Sequence, residues 1–322
     1  MGALEYVPAS SEISDINENI NVSEMVKFAS DILNQREAVT LNAQETLTYS
    51  QLVQVGSSAG GARAKALIAW NEKTNEIKSG QLNLDKDYDY WLMKFDNVSK
   101  NGDHGVEDIP EYTLIEYAYY KMAIDAGIQM NECRIYSNNG ENHFMTKRFD
   151  RVNGKKIHMQ SLGAMAHISY KEPGLCSYEM AAGYMRDVKL PMTDIEQFYS
   201  RMVFNCLAVN QDDHVKNISF LMDRNGEWRL SPAYDITFSY DTTNKWLSAH
   251  QMTINGKKRE ISLSDILEVG KKMGIKKKKC MDIISKISIV TSNFEKYADA
   301  ANIREKTYVE IRKVLDQNKV EI

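Results

Sequence analysis

Asp212 and Asn217 lie five positions apart in Asn210-Gln-Asp-Asp-His-Val-Lys-Asn217, and Asp235 follows in Leu230-Ser-Pro-Ala-Tyr-Asp235. A carboxylate and an amide at D-x-x-x-x-N spacing, with a second carboxylate beyond, form an oxygen donor set suited to phosphoryl transfer. The first acid can take the proton of an attacking hydroxyl, while the amide and the second acid hold Mg2+. Lys216 beside them could neutralise charge on the transferring group. His214 reads in two ways. With Asp212 and Asp213 it could ligate a metal in a phosphohydrolase, or it could bond backbone and fix the loop. The second reading is preferred because no other histidine stands at ligand-like spacing. D-x-x-x-x-N also occurs by chance, and a cluster such as QDDH is often a solvated turn. What adds weight is the conjunction of a feeding helix, the loop, a hairpin and the closing Asp235.

Two upstream features could serve the same chemistry. Gly56-Ser57-Ser58-Ala59-Gly60-Gly61 is a small-residue turn whose backbone N–H groups could approach phosphates. Ala62-Arg63 stands where a Walker A loop needs Lys-Ser/Thr, and the G-x-G-x-x-G of ordinary kinases is absent. A flexible surface turn is the plainer reading. Lys94, in Trp91-Leu-Met-Lys-Phe95, would point to solvent in most strands, whereas in a kinase it would pair with ATP phosphates. Glu116 is its candidate partner, though an exposed helix glutamate is the plainer reading.

The elements that must position these residues follow from hydrophobic spacing. The pattern predicts helices over 22–33 and 112–126, and strands over 66–70, 90–95, 133–136 and 143–149, with Asn139-Gly140 as a hairpin turn. Thr193-Asp-Ile-Glu196 has a capping-box pattern and opens an amphipathic helix that ends at Asn210-Gln211. A hairpin over 218–230 turns at Asp223-Arg-Asn-Gly226, and three helical segments follow from Ser262 to near Lys319. A strand-rich half before a helix-rich half predicts an α+β fold with two lobes and a cleft.

Composition sets the outer limits. The 322 residues are 43% hydrophobic and 26% charged with a net charge of −4, an ordinary globular balance without a strong field for nucleic acid. Four scattered cysteines without CxxC spacing suggest reduced thiols rather than a disulfide or zinc framework. No signal-peptide pattern and no apolar run long enough for a membrane span is visible, so a soluble, cytoplasmic protein with no membrane partner is expected.

Five ordered blocks resemble the HipA family, the kinase toxins of bacterial toxin–antitoxin modules. They are Ser57–Leu67 (SSAGGARAKAL), Trp91–Asp96 (WLMKFD), Thr146–Arg151 (TKRFDR), His158–Met165 (HMQSLGAM) and Asn210–Asp235. The resemblance implies a two-lobed protein-kinase-like fold. Its strand-rich N-lobe would span 1–150, and its mainly helical C-lobe 151–322. It implies a serine/threonine protein kinase using ATP and Mg2+, with Asp212 as base and Asn217 and Asp235 as metal ligands. His214 and Lys216 would complete the active loop, and Lys94 and the loop Ser57, Ser58, Ala59, Gly60 and Gly61 would face the nucleotide. Lys147, Arg148 and Phe149 would form the adenine hinge, supported by Asp150 and Arg151. Autophosphorylation of Ser58, or of adjacent Ser57, would expel the loop and silence the kinase.

The resemblance also implies partners: a HipB-like helix-turn-helix antitoxin, and as substrate a cytosolic protein of the aminoacyl-tRNA synthetase class. Gly2-Ala-Leu-Glu-Tyr-Val-Pro8 at the start suggests a compact type whose extra N-terminal subdomain is a separate small protein. DNA would be met only through the antitoxin, with the basic run Lys271–Lys279 as a possible phosphate contact or simply a solvated helix start. Two other readings stay open, a small-molecule phosphotransferase and an inert partner that strengthens an antitoxin on DNA.

Overall fold

The computed structural model describes residues 2–4, 19–34, 53–54, 63–96, 98 and 111–321. The Gly-rich loop, Ser57 to Gly61, lies outside the described residues. The chain divides into two compact units, one of residues 1–114 with 131–157 and one of 115–130 with 158–322.

The first unit is built on an antiparallel sheet. Its strands are β1 (Val53–Gln54), β2 (Lys65–Asn71), β3 (Glu76–Ser79), β4 (Asp89–Lys94), β5 (Cys133–Asn138) and β6 (Glu141–Lys147), in the order β1-β2-β4-β6-β5 with β3 also on β2. Helix α1 (Val22–Asn34) presents Val22, Met25, Val26, Phe28 and Ala29 at helical spacing. They pack with Ala66, Ile68, Trp91, Met93 and Met145 of the sheet. Asn139 and Gly140 both take positive φ, 50° and 84°, as a tight two-residue hairpin turn requires. The short pair β7 (Arg151–Val152) and β8 (Lys155–Lys156) closes the unit.

Helix α2 (Tyr112–Ala126) enters the second unit from Ile115 onward. It buries more than one face, including Ala118, Tyr119, Met122 and Ala123. Strand β9 (His158–Ser161) pairs with β10 (Ser219–Met222), which pairs with β11 (Trp228–Leu230). The β10–β11 hairpin matches the predicted one, whereas β9 had no alternating pattern to reveal it. Around this small sheet stand α3 (Leu162–Met165), α4 (Tyr178–Asp187) and α5 (Met192–Leu207). The C-terminal part holds four helices rather than three: α6 (Leu263–Lys272), α7 (Lys277–Ser292), α8 (Phe294–Ala300) and α9 (Glu305–Gln317). The seven-residue α8 is too short to display a helical period of its own.

Helix α5 is the pillar under the site. Every residue from Phe198 to Cys206 is buried, so it is packed on all sides rather than on one stripe. It begins at Met192 behind Pro191, with no side-chain cap. The capping-box pattern at Thr193–Glu196 is therefore not used. Proline pre-sets the first turn (φ −67°), and Asp194 turns to accept hydrogen bonds from the Arg229 guanidinium and the Leu230 N–H instead. All four cysteines are buried free thiols. Among the described residues no helix is long and apolar enough to cross a membrane.

Candidate active site

Helix α5 ends at Leu207, and the chain leaves it through Val209 in the left-handed region (φ 53°). A β-branched residue there is strained by about 1–2 kcal/mol, and its surroundings must hold it. They do so through backbone bonds on both sides. Asn210 N–H donates to the Asn205 carbonyl (2.9 Å), Gln211 N–H to that of Ser239 (2.9 Å), and Ser239 N–H to that of Val209 (3.2 Å). The loop then folds back on itself. Asn217 Nδ2 donates to the Asp212 carbonyl (2.9 Å) and Asn217 N–H to the His214 carbonyl (2.9 Å).

The loop's far end is fixed by close packing. Gly163 N–H donates to the Val215 carbonyl (3.0 Å), and a Cβ at Gly163 would meet Val215 Cγ2 at 2.9 Å and the Ile168 carbonyl at 3.0 Å. Only glycine admits this approach. After the hairpin, Arg201 Nη2 of α5 donates to the Ser231 carbonyl and Ala233 N–H to the Gln129 carbonyl (2.7 Å). Tyr234 Oη donates to the Lys216 carbonyl (2.6 Å), which ties this segment to the loop. Asp235 itself is left-handed (φ 53°), the second strained residue at the site.

The result is a pocket with about 350 Å³ of empty space on whose wall Asp212, His214, Asn217 and Asp235 all stand. The Asp212 side chain is 43% exposed. His214 Nε2 lies 3.9 Å from Asp212 Oδ1, and its ring meets Tyr170 edge-on at 5.8 Å between centroids. Lys216 lies beside the pocket rather than on its lining, with Nζ 3.9 Å from the centroid of Tyr170. Because Asn217 Nδ2 is committed to the Asp212 carbonyl, its Oδ1 is the atom left for a cation. Among the described residues no group of three or more His, Cys, Asp or Glu could hold a metal. An amide and one or two carboxylates instead fit Mg2+, which draws the rest of its shell from phosphate and water.

Sequence reasoning passed over the support beneath this loop. Asp213 points inward, its side chain 1% exposed. Its Oδ1 accepts the Gln251 N–H (2.7 Å), and its Oδ2 accepts the Tyr178 hydroxyl (2.8 Å) and lies 2.9 Å from His250 Nδ1. Burial works against charge on His250, but the Asp213 carboxylate more than offsets it and holds the imidazole pKa up at about 10. The adjacency of two acids at 212–213 was the sole signal available, and it pointed as readily to metal binding.

Lys94 and the hinge residues lie in the first unit. Lys94 of β4 is buried (7% exposed) rather than solvent-facing, with Nζ 5.8 Å from the Phe144 ring. In the second unit Glu116 is likewise buried rather than exposed. Helix α2 is buried along most of its surface, and β4 is flanked by β2 and β6, so few of their faces meet water. In the hinge segment, Lys147 N–H donates to the Glu132 carbonyl and Arg148 N–H to the Tyr90 carbonyl (both 2.8 Å). Lys147 Nζ pairs with Asp89 at 2.7 Å. The Arg148 guanidinium grips both Asp150 oxygens at 2.9 Å, and Arg151 Nη1 bonds Asp150 Oδ2 at 3.1 Å. Phe149 is half-buried. The basic run is partly paired, Lys271 with Glu268, Lys272 with Glu179 and Lys279 with Glu196.

Known proteins place this architecture. The Shewanella oneidensis toxin HipA, solved with HipB and its operator DNA, superimposes with a TM-score of 0.69 at 15% identity, over 98% of this chain and 74% of its own. The fold is therefore α+β and protein-kinase-like, with a strand-rich unit and a mainly helical one. A Haemophilus influenzae protein provisionally named a kinase is 28% identical over 159 residues, 44% of this chain. The match spans about half of that relative, 46% of its length. The HipA-like C-terminal domain family matches residues 57–294, from the Gly-rich loop through the pocket to the start of α8, and the chain belongs to that family.

Proposed function

We propose that this chain is an ATP- and Mg2+-dependent serine/threonine protein kinase of the toxin type. The carrying observation is that Asp212, Asn217 and Asp235 share one pocket while Asn217 presents its amide oxygen. Asp212 accepts the proton of the acceptor serine hydroxyl, and its position on the pocket wall lets it reach that hydroxyl. Asn217 Oδ1 and the Asp235 carboxylate hold the cation. Bound Mg2+–ATP supplies the phosphoryl group and neutralises its developing charge. His214 keeps the loop in register through Tyr170 and Asp212, and Lys216 meets the negative charge of the transferring group.

Lys94 serves as the phosphate-binding lysine. Lys147, Arg148 and Phe149 form the adenine hinge, mainly through backbone groups. Phosphorylation of Ser58 or Ser57 would add about −1.5 to −2 charges beside the nucleotide phosphates and switch the enzyme off. The substrate is a cytosolic protein of the aminoacyl-tRNA synthetase class. The neutralising partner is a helix-turn-helix antitoxin, as the HipB partner of the Shewanella protein suggests.

The test is transfer from γ-labelled ATP to the chain itself and to a cytosolic extract, followed by phosphosite mapping. Asp212→Asn should lower transfer by about 10³-fold or more while Mg2+–ATP binding stays within a few-fold of wild type. Labelling of sugars or other small molecules without protein would support a small-molecule phosphotransferase. Undiminished autophosphorylation by Asp212→Asn would overturn the assignment of the base. No turnover by the wild-type chain, with operator binding strengthened in the presence of an antitoxin, would favour a non-catalytic partner.

A further inference from the structure

The two neighbouring acids of the loop meet opposite environments. Asp212 is 43% exposed on the pocket, whereas Asp213 is sealed inside the second unit and engaged by three donors. Those donors come from separate stretches of chain, Tyr178 from α4 and His250 and Gln251 from the segment before α6. The network also closes on the loop's origin. Tyr178 Oη accepts from Asn205 Nδ2 (3.0 Å), and Asn205 Oδ1 accepts from Asn210 Nδ2 (3.0 Å). His250 is itself held by its backbone N–H, which donates to the Lys258 carbonyl (3.1 Å).

A buried ion pair is poor value as mere filling, because apolar residues of the same volume usually stabilise a core as well or better. A buried network whose donors and acceptors engage one another from several elements, by contrast, favours one geometry. The loop it fixes carries the residue whose placement matters most to transfer, and misplacing a reacting group by an ångström costs about 100-fold in rate. We infer that Asp213, His250 and Tyr178 are positioning residues that hold the loop so that Asp212 faces the pocket, an assignment resting on the kinase reading above. Tyr178 and Asp213 also reach the lining of the pocket, but their polar atoms are engaged by protein partners rather than offered to a ligand. The role is distinct from metal binding, since the Asp213 oxygens are taken by protein donors. The raised pKa of His250 keeps its imidazole charged throughout the neutral range.

Two substitutions separate positioning from packing. His250→Asn retains a donor near the place of Nδ1, and His250→Leu removes it at similar bulk. In the full-length chain, His250→Leu should lower kcat by about 10- to 100-fold with KM for Mg2+–ATP within about two-fold, and His250→Asn should recover most of the loss. Hydrogen exchange of amides 210–217 should rise in His250→Leu while that of α7 stays unchanged. Should His250→Leu not fold, Tyr178→Phe removes one donor hydroxyl and is expected to cut kcat several-fold at unchanged KM. A folded His250→Leu or Tyr178→Phe with wild-type kcat overturns the inference. So does a His250→Asn as impaired as His250→Leu, with exchange raised across the whole unit, since that marks a packing role alone. If the wild-type chain transfers no phosphoryl group, the kinase reading fails. The exchange measurement then still decides whether the pair holds the loop.

Discussion

At the scale of single residues, Lys216 draws attention because its charge rests on an aromatic face rather than on an acid. Nζ lies 3.9 Å from the Tyr170 centroid, and the same ring meets His214 edge-on. A cation over a ring is held by the ring's quadrupole, worth about 0.5–2 kcal/mol, and unlike a salt bridge it leaves the ammonium charge unneutralised, as the role proposed for Lys216 requires. The attraction depends on the ring and not on its hydroxyl. Tyr170→Phe should therefore keep near-wild-type transfer, whereas Tyr170→Leu should lose roughly 5- to 30-fold in kcat, the rate equivalent of about 1–2 kcal/mol. Steady-state kinetics on the two variants checks this, and equal losses in both would point to the hydroxyl instead. Tyr170 could not be picked out in the sequence. It lies 46 positions from Lys216 in a segment without regular structure, and nothing in ISYKEP distinguishes it from any half-buried tyrosine.

At the scale of elements, the capping-box pattern at Thr193–Glu196 goes unused, while a capping box that the sequence reading did not single out forms at Ser262–Asp265. Ser262 Oγ accepts the Asp265 N–H (3.3 Å), Asp265 Oδ2 accepts the Ser262 N–H (3.0 Å), and Lys257 Nζ and Asn255 Nδ2 also bond the Asp265 carboxylate. Thr193 caps nothing, because α5 starts behind Pro191. Ser262→Ala should cost about 1 kcal/mol, while Thr193→Ala should stay within about 0.5 kcal/mol of wild type. Urea melts of the two variants give the comparison, and equal losses would mean that the pattern rather than the realised cap sets stability. The contrast shows what was legible. Local signals such as the Asn139-Gly140 turn, the β10–β11 hairpin and the spacing of Asp212 and Asn217 act over a few residues, and the structure realises them. What the sequence could not display is the choice among rival local options once tertiary partners compete. Asp194 left the helix start for Arg229, and Asp213 found His250 across the whole β10–β11 hairpin. The burial of Lys94 and Glu116 belongs to the same class, since it depends on strands and helices that a linear pattern does not bring together.

At the scale of the molecule, each unit buries one histidine among the described residues, and the two respond to pH in opposite senses. In the first unit His143 is fully buried, its Nδ1 accepts the Asp96 N–H (3.1 Å), and its ring packs edge-on against Phe95. Burial pulls its pKa down to about 4, against a weaker upward pull from Asp96. Unfolded, it titrates near 6.5, so below that pH the unfolded chain binds a proton that the folded unit refuses. The first unit should lose about 3 kcal/mol as pH falls from 6.5 toward 4. In the second unit the folded pKa of His250 lies above 6.5, at about 10. The stability it contributes is complete below 6.5 and is lost as pH rises toward 10. The tryptophans divide to match, Trp70 and Trp91 in the first unit and Trp228 and Trp246 in the second. In Trp228→Phe/Trp246→Phe, fluorescence reports the first unit alone, and its urea midpoint should fall between pH 7 and 5 but hold from pH 7 to 9. The remainder of the wild-type signal should behave the other way, with its midpoint falling from pH 7 to 9. His143→Gln should flatten the acid arm of the first unit, and His250→Asn the alkaline arm of the second. Midpoints that fall together at both extremes, unaffected by either substitution, would place the pH response in the surface charge of the whole chain rather than in these two rings.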